Sequence, residues 1–144
     1  MTANERNGAA VHEAGHAAAA SALGLTVGEI EIGVDGDDSA GRCTIADSTY
    51  LPLVDQIAIC LAGLVAQDLF SAFTTEHAAM GDYAKVIDLV GDEMPEIESK
   101  RLRDAGERRA RELLVRDKAK VERLAAALES KGKLNAQDMM ALLA

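Results

Sequence analysis

His12-Glu13-Ala14-Gly15-His16 sets two imidazoles and a carboxylate within little more than one helical turn of a 144-residue chain. Four residues of α-helix advance about 6 Å and about 40° around the axis, so His12 and His16 leave one face and can converge on a single ion. Glu13 sits beside the pair. Neutral imidazoles bind Zn²⁺ at roughly 2.0–2.1 Å, and a zinc site with an open position lowers the pKa of water to about 7. A carboxylate next to such a site can take that water's proton, which assigns Glu13 the part of general base and not of ligand.

Two of the chain's three histidines fall at this spacing. The bland alternative is a pair of surface histidines on an Ala-rich helix. Against it stand the flanks, Val11 before the motif and Ala17 to Ala20 after it. They are small and apolar and predict a buried helix, where an imidazole pair needs partners. A metal ion would supply them.

The elements that must position these groups can be read along the chain. Residues 4–23 are expected to form the motif helix, with Gly24 as a left-handed stop. In 27–34 the apolar Ile30, Ile32 and Val34 alternate with Glu29, Glu31 and Gly33, and a second run follows at 42–46 beyond the Asp35-Gly36-Asp37-Asp38 turn. That pattern predicts a β-hairpin. The acidic turn lacks the terminal Glu of an EF-hand loop and is expected to be solvated. After Pro52, the spacing of Leu53, Ile57, Leu61, Leu64 and Val65 predicts a central apolar helix reaching Phe70, in which Gly63 marks close helix packing. A loop is expected over 73–81, followed by helical periodicity at Val86, Ile87 and Val90 and a break over 91–95. One long amphipathic helix is expected over 96–130, burying Ala110, Leu114, Val121, Leu124 and Leu128, and ending at Lys131-Gly132. Asn135 can cap a last short helix through the amides of the turn that ends at Asp138. The expected fold is a single domain, residues 1–144, mainly α with a small β-hairpin (α+β).

Composition narrows the function classes. Hydrophobic residues make up 49% and aromatic residues 3%, so the core is built from Ala, Leu, Val and Ile. The longest apolar stretch, 51–70, is broken by Pro52, Asp55, Gln56, Gln67 and Asp68, too polar to span a membrane. The N-terminus shows no signal-peptide pattern, and a soluble, cytoplasmic protein is expected. Cys43 and Cys60 form no CxxC motif and are expected to be reduced apolar residues. A net charge of −9 speaks against nucleic acid as a partner, yet residues 100–123 hold ten Lys or Arg against five Asp or Glu. That segment can be a docking face, or a solvated one laced with pairs such as Glu107 with Arg111 and Glu112 with Arg116.

A catalytic zinc takes three protein ligands plus water, so the motif needs one more donor. His77, Glu76, Asp82 and Asp88 are the candidates. A third His farther along the motif helix is excluded, because Ala19 and Ala22 occupy the positions of the extended pattern's Gly and His.

The motif His12-Glu13-Ala14-Gly15-His16-Ala17 resembles the zinc motif of the peptidase domain of FtsH-like AAA metalloproteases, and the likeness runs through most of the chain. Leu61-Ala62-Gly63-Leu64-Val65-Ala66-Gln67-Asp68-Leu69-Phe70 resembles that family's central helix. Thr74-Thr75 leading to Gly81-Asp82-Tyr83-Ala84 resembles the loop and helix start that carry its third zinc ligand, an Asp. The stretches 109–114 and 121–128, then Gly132-Lys133-Leu134, are similar to its C-terminal helices. The resemblance implies a zincin-like fold and Zn²⁺ held by His12, His16 and Asp82, with Glu13 as general base. The chain departs from the family in Ala79-Met80 before Gly81-Asp82, which keeps His77 and Glu76 in play as third ligand. It also lacks a GxxxxGK[ST] loop.

The function expected is a free-standing zinc endopeptidase that acts on flexible or unfolded polypeptide without its own ATPase, with a separate ATPase or adaptor as a conceivable partner. Its alternative is a catalytically weak, metal-stabilised binding module that docks a partner through residues 100–123. An edge strand at 42–45 can receive an extended peptide, and Tyr83 is expected to pack in the interior. The oligomeric state stays open.

Overall fold

A computed structural model describes residues 1–33 and 41–144. Among the described residues there are six helices and three short strands. Val34 and the Asp35-Gly36-Asp37-Asp38 turn lie outside them.

Helix α1 (Ala3–Ala22) is the axis of the core and is buried without interruption from Gly8 to Ala20. A helix covered all round must present small side chains so that several neighbours can approach, which is the use of its Ala and Gly content. Its start is fixed by a capping box between Thr2 and Glu5, and Gly24 follows its end at φ 86°. Helix α2 (Leu53–Leu69) crosses α1 at Gly15, where a Cβ would stand 2.5 Å from the Ala62 carbonyl oxygen and 2.6 Å from Ala66 Cβ. Gly15 is thus a close-packing glycine of the α1–α2 crossing, beside Gly63, to which the sequence assigns that part and which faces side-chain atoms of α1.

The hairpin forms as β1 (Val27–Ile32) and β2 (Gly41–Ile45), antiparallel, with Ile30 opposite Cys43. A third strand, β3 (Lys133–Leu134), pairs with the other side of β1 and gives the order β2-β1-β3. Two residues are too few to leave a period-2 signal. Among the described residues strand β2 is therefore an edge of the sheet.

Helix α3 (Glu76–Val90) begins before the expected loop ends, because the Thr75 hydroxyl accepts from the Ala78 amide and caps it there. Asp82 consequently lies inside the helix and not at its start. The expected single helix over 96–130 is two, α4 (Glu96–Arg116) and α5 (Lys118–Lys131), separated by Asp117. From Leu114 to Val121 the apolar spacing is seven residues, the same as in a continuous helix, so the bend leaves no trace in the pattern. Its effect is to pack α4 on α2 while α5 turns onto α1 and β1. Ala110, Leu114, Val121, Leu124 and Leu128 are all fully buried, as their spacing predicts. Gly132 closes α5 in the left-handed conformation, and a capping box between Asn135 and Asp138 opens α6 (Ala136–Leu143). None of the described helices is long and apolar enough to cross a membrane.

Candidate metal centre

Helical spacing on α1 turns His12, Glu13 and His16 toward α2, α3 and β2, and all three are buried, with 6%, 6% and 9% of their surface exposed. The orientation of each imidazole is set from α2. His16 Nδ1 lies 2.7 Å from the Ile59 carbonyl oxygen, an acceptor only, so Nδ1 carries the hydrogen and donates it. His12 Nδ1 lies 2.8 Å from Gln67 Oε1. The Gln67 amide is fixed in turn, because its nitrogen donates to the carbonyl oxygens of Gly8 at 3.1 Å and Phe73 at 2.9 Å. Both rings therefore carry a hydrogen on Nδ1 in this network, so that in the neutral form each Nε2 lone pair faces inward.

The third donor comes from α3. Asp82 Oδ2 lies 2.9 Å from His12 Nε2 and 3.3 Å from His16 Nε2, and the two nitrogens are 3.0 Å apart. Asp82 is buried, and its Oδ2 makes no hydrogen bond of ordinary geometry. Three lone-pair-bearing atoms thus meet at one buried point with no hydrogen fixed between them. Such an arrangement is stable only with a cation or a shared proton at that point. His12, His16 and Asp82 are a group that can hold a metal ion. His77 and Glu76, the rival third ligands, are exposed in the first turn of α3; His77 lines the nearby cleft, but neither joins the three converging atoms.

Space for this centre is made by glycines. A Cβ at Gly63 would lie 2.6 Å from His16 Nε2 and 2.7 Å from His12 Cε1 and Nε2. Its missing side chain makes room for the two imidazoles. At Gly41, on β2, a Cβ would stand 2.6 Å from Glu13 Cγ and 2.8 Å from its Oε1, so that glycine admits the Glu13 carboxyl.

No protein-family model matches the chain, and no curated protein matches it.

The electrostatics follow from burial and neighbours. Burial pushes the Glu13 carboxyl above its ordinary pKa; His16 and His12 pull it down without overcoming that, and the charge of Asp82 adds to the rise. A carboxylate of raised pKa is a better proton acceptor near neutrality. Burial also works to raise Asp82, but the two imidazoles beside it prevail and hold it well below the usual carboxylate range. For His16 burial opposes the charged form, yet Asp82, then Glu13, outweigh it and the net shift is upward.

The group opens on a cleft of about 280 Å³ between β2 and α3. Arg42, Cys43 and Ile45 line it from β2, Ile59 and Cys60 from α2, and His77, Gly81 and Lys85 from α3. Both cysteines are free and half-buried. Burial and the nearby Glu13 charge push the Cys43 thiol up to about 12, and burial raises Cys60, so both stay protonated near neutrality. Tyr83 contradicts its expected packing: it is 53% exposed and lines a separate groove with Arg103 and Glu107 of α4. The sequence reading missed Gln67, the Ile59 carbonyl, Gly41 and Lys85. A signal existed only for Gln67, an amide that directly follows the apolar run of α2.

Proposed function

We propose that this chain is a zinc-dependent endopeptidase that cleaves flexible or unfolded polypeptide, similar to the peptidase domain of FtsH-like metalloproteases. The observation that carries the reading is the convergence of His12 Nε2, His16 Nε2 and Asp82 Oδ2 with Glu13 alongside, on an open cleft. The donor set suits zinc: donors on a tetrahedral ion at 2.0–2.1 Å lie roughly 3.3 Å apart, and the three atoms here are 2.9, 3.0 and 3.3 Å apart. A zinc ion held there would supply a Lewis acid that polarises the scissile carbonyl and makes water acidic.

The chain's own groups then have defined parts. Glu13, its carboxyl made more basic by burial, accepts a proton from the attacking water and returns it to the departing amine. Gln67 and the Ile59 carbonyl hold both imidazoles in the ligating tautomer. Strand β2, an edge of the sheet among the described residues, lines the cleft and can align an extended peptide through main-chain hydrogen bonds. Flexible segments suit this arrangement, because the 144 residues contain no phosphate-binding glycine loop to drive unfolding.

The test is zinc content together with casein cleavage, wild type against Glu13→Gln at matched zinc loading. One zinc per chain in both proteins, with cleavage reduced about 10²–10⁴-fold in the variant, is expected. Bound zinc without cleavage by the wild type would favour the binding module, and no zinc at all would sink the reading.

A further inference from the structure

Gly81 sits in the interior of α3 with ordinary helical backbone, and among the described residues a Cβ built on it meets nothing within 4 Å. Neither conformation nor packing asks for glycine there, and a glycine inside a helix is destabilising relative to alanine. Gly15, Gly41 and Gly63 each admit a named neighbour; Gly81 admits none among the described residues. It lines the cleft one residue before Asp82. Four-residue spacing places His77, Gly81 and Lys85 in one row along the helix, and all three line the cleft, so the row has a gap at its centre.

A cation stands at one end of that gap. The Lys85 side chain is 69% exposed, and among the described residues it reaches a carboxylate only at Asp82 Oδ1, 4.0 Å away. With zinc bound, the charge of Asp82 is engaged by the ion. Arg42, on the opposite wall, is already ion-paired with Glu31. Lys85 is thus the positive group of the cleft left for a ligand, in a chain whose net charge is −9.

We infer that the row His77, Gly81, Lys85 is a substrate subsite for a carboxylate of the polypeptide, seated in the gap over Gly81 and held by the Lys85 ammonium. The inference rests on the peptidase reading and names its substrate class: polypeptide with a carboxylate near the scissile bond, either an Asp or Glu side chain or the chain's own C-terminus. A single partly screened ion pair gives a preference of about fivefold.

The experiment reads binding, so it does not depend on turnover. Zinc-loaded Glu13→Gln protein is titrated with fluorescent peptides that differ only in Glu against Gln at one scanned position, or in a free C-terminus against its amide. One of these pairs is expected to show about fivefold tighter binding of the charged member, and which pair does so separates side chain from terminus. Adding Lys85→Gln should bring that ratio to one, and Lys85→Glu should invert it. Gly81→Leu should keep one zinc and the helical spectrum while peptide affinity falls at least about tenfold, since a side chain fills the gap. Gly81→Ala should raise Tm by a few degrees. The inference is overturned by a ratio near one for every pair, by no peptide binding at all, by a ratio that survives Lys85→Gln, by unchanged affinity in Gly81→Leu, or by a fall in Tm in Gly81→Ala. Absence of cleavage by the wild type would count against the peptidase reading alone, and the binding ratios would still decide the subsite.

Discussion

The metal centre and the basic segment 100–123 both concentrate polar groups, and they differ in how far those groups are accounted for. At the centre Nδ1 of each imidazole, both ends of the Gln67 amide and the Ile59 carbonyl have partners fixed by geometry, and three converging atoms do not. The three left over point at one another. In the basic segment the charges form exposed pairs, Lys100 with Asp104 at 2.6 Å, Arg103 with Glu96 at 2.6 Å, Arg111 with Asp68 at 3.1 Å. Water would satisfy the same groups if the pairs were absent. A buried polar remainder therefore demands an explanation outside the chain, while a surface charge run demands none.

The contrast is sharpest at Gly63. Gly63→Ala puts a methyl group within 2.7 Å of both imidazoles, and the α2 backbone that carries it also holds the ring of His16 through Ile59. Zinc affinity is expected to fall at least about 100-fold, measured by competition with a chromophoric chelator, with the helical spectrum retained. Unchanged affinity would mean that the rings are not fixed where the lone pairs converge. Gln67→Met comes next, removing the acceptor of His12 Nδ1 and the donor to Gly8 and Phe73 in one step. A loss of about 10–100-fold in zinc affinity is expected, together with about 1–3 kcal/mol of stability by urea titration, because buried carbonyls lose their donor.

Why the centre was partly legible in sequence follows from the same chemistry. His12, Glu13 and His16 share one helical turn, so their geometry is local and spacing alone predicts it. Asp82 lies 66 residues beyond His16, and only the likeness of its surroundings to a known zinc motif singles it out from His77 and Glu76. The carbonyl of Ile59 carries no side-chain signal whatever. Gly63 was legible as a packing glycine and does face α1, but that it admits two imidazole rings was not, since a glycine that admits a ring and one that admits a helix backbone, as Gly15 does, look alike in sequence. Helix identities were legible from apolar periodicity, whereas the break at Asp117 and the two-residue β3 were not, the first because it keeps the seven-residue phase and the second because it is too short to have one.

Acid and base should act on the centre with a definite sign. Without metal, a proton is the available substitute for the ion, and Asp82 holds His16 above its ordinary value of 6.5 against the opposing pull of burial. A raised folded-state value contributes stability fully below the unfolded value and loses it as pH climbs through the raised one. Asp82, shifted downward, contributes above the ordinary carboxylate range and loses that only as pH falls through its depressed value. Metal-free protein should therefore lose stability on the alkaline side of 6.5. Zinc displaces the proton, so its affinity should rise over the same interval by up to about tenfold per pH unit. The Tm difference between zinc-loaded and metal-free protein is thus expected to widen from about pH 6 to about pH 8. A difference that stays flat would show that no proton is shared at the centre.

The smallest effect belongs to the basic segment. Arg111 ties α4 to Asp68 of α2 at 3.1 Å and meets Glu107 at 3.8 Å, with part of its guanidinium in water. Arg111→Ala is expected to cost less than about 1 kcal/mol, the cost shrinking further in high salt, and to leave zinc affinity unchanged. The core residues of the same helix, Leu113 and Leu114, behave differently, since their side chains are buried and Leu→Ala there should cost about 2–5 kcal/mol. That difference within one helix means that deleting 100–123 to test docking would unfold the protein, and only charge substitutions on the exposed face can ask whether this segment meets a partner. A zinc affinity that fell with Arg111→Ala would couple the two regions through α2 and remove the distinction between a demanded and an incidental polar cluster.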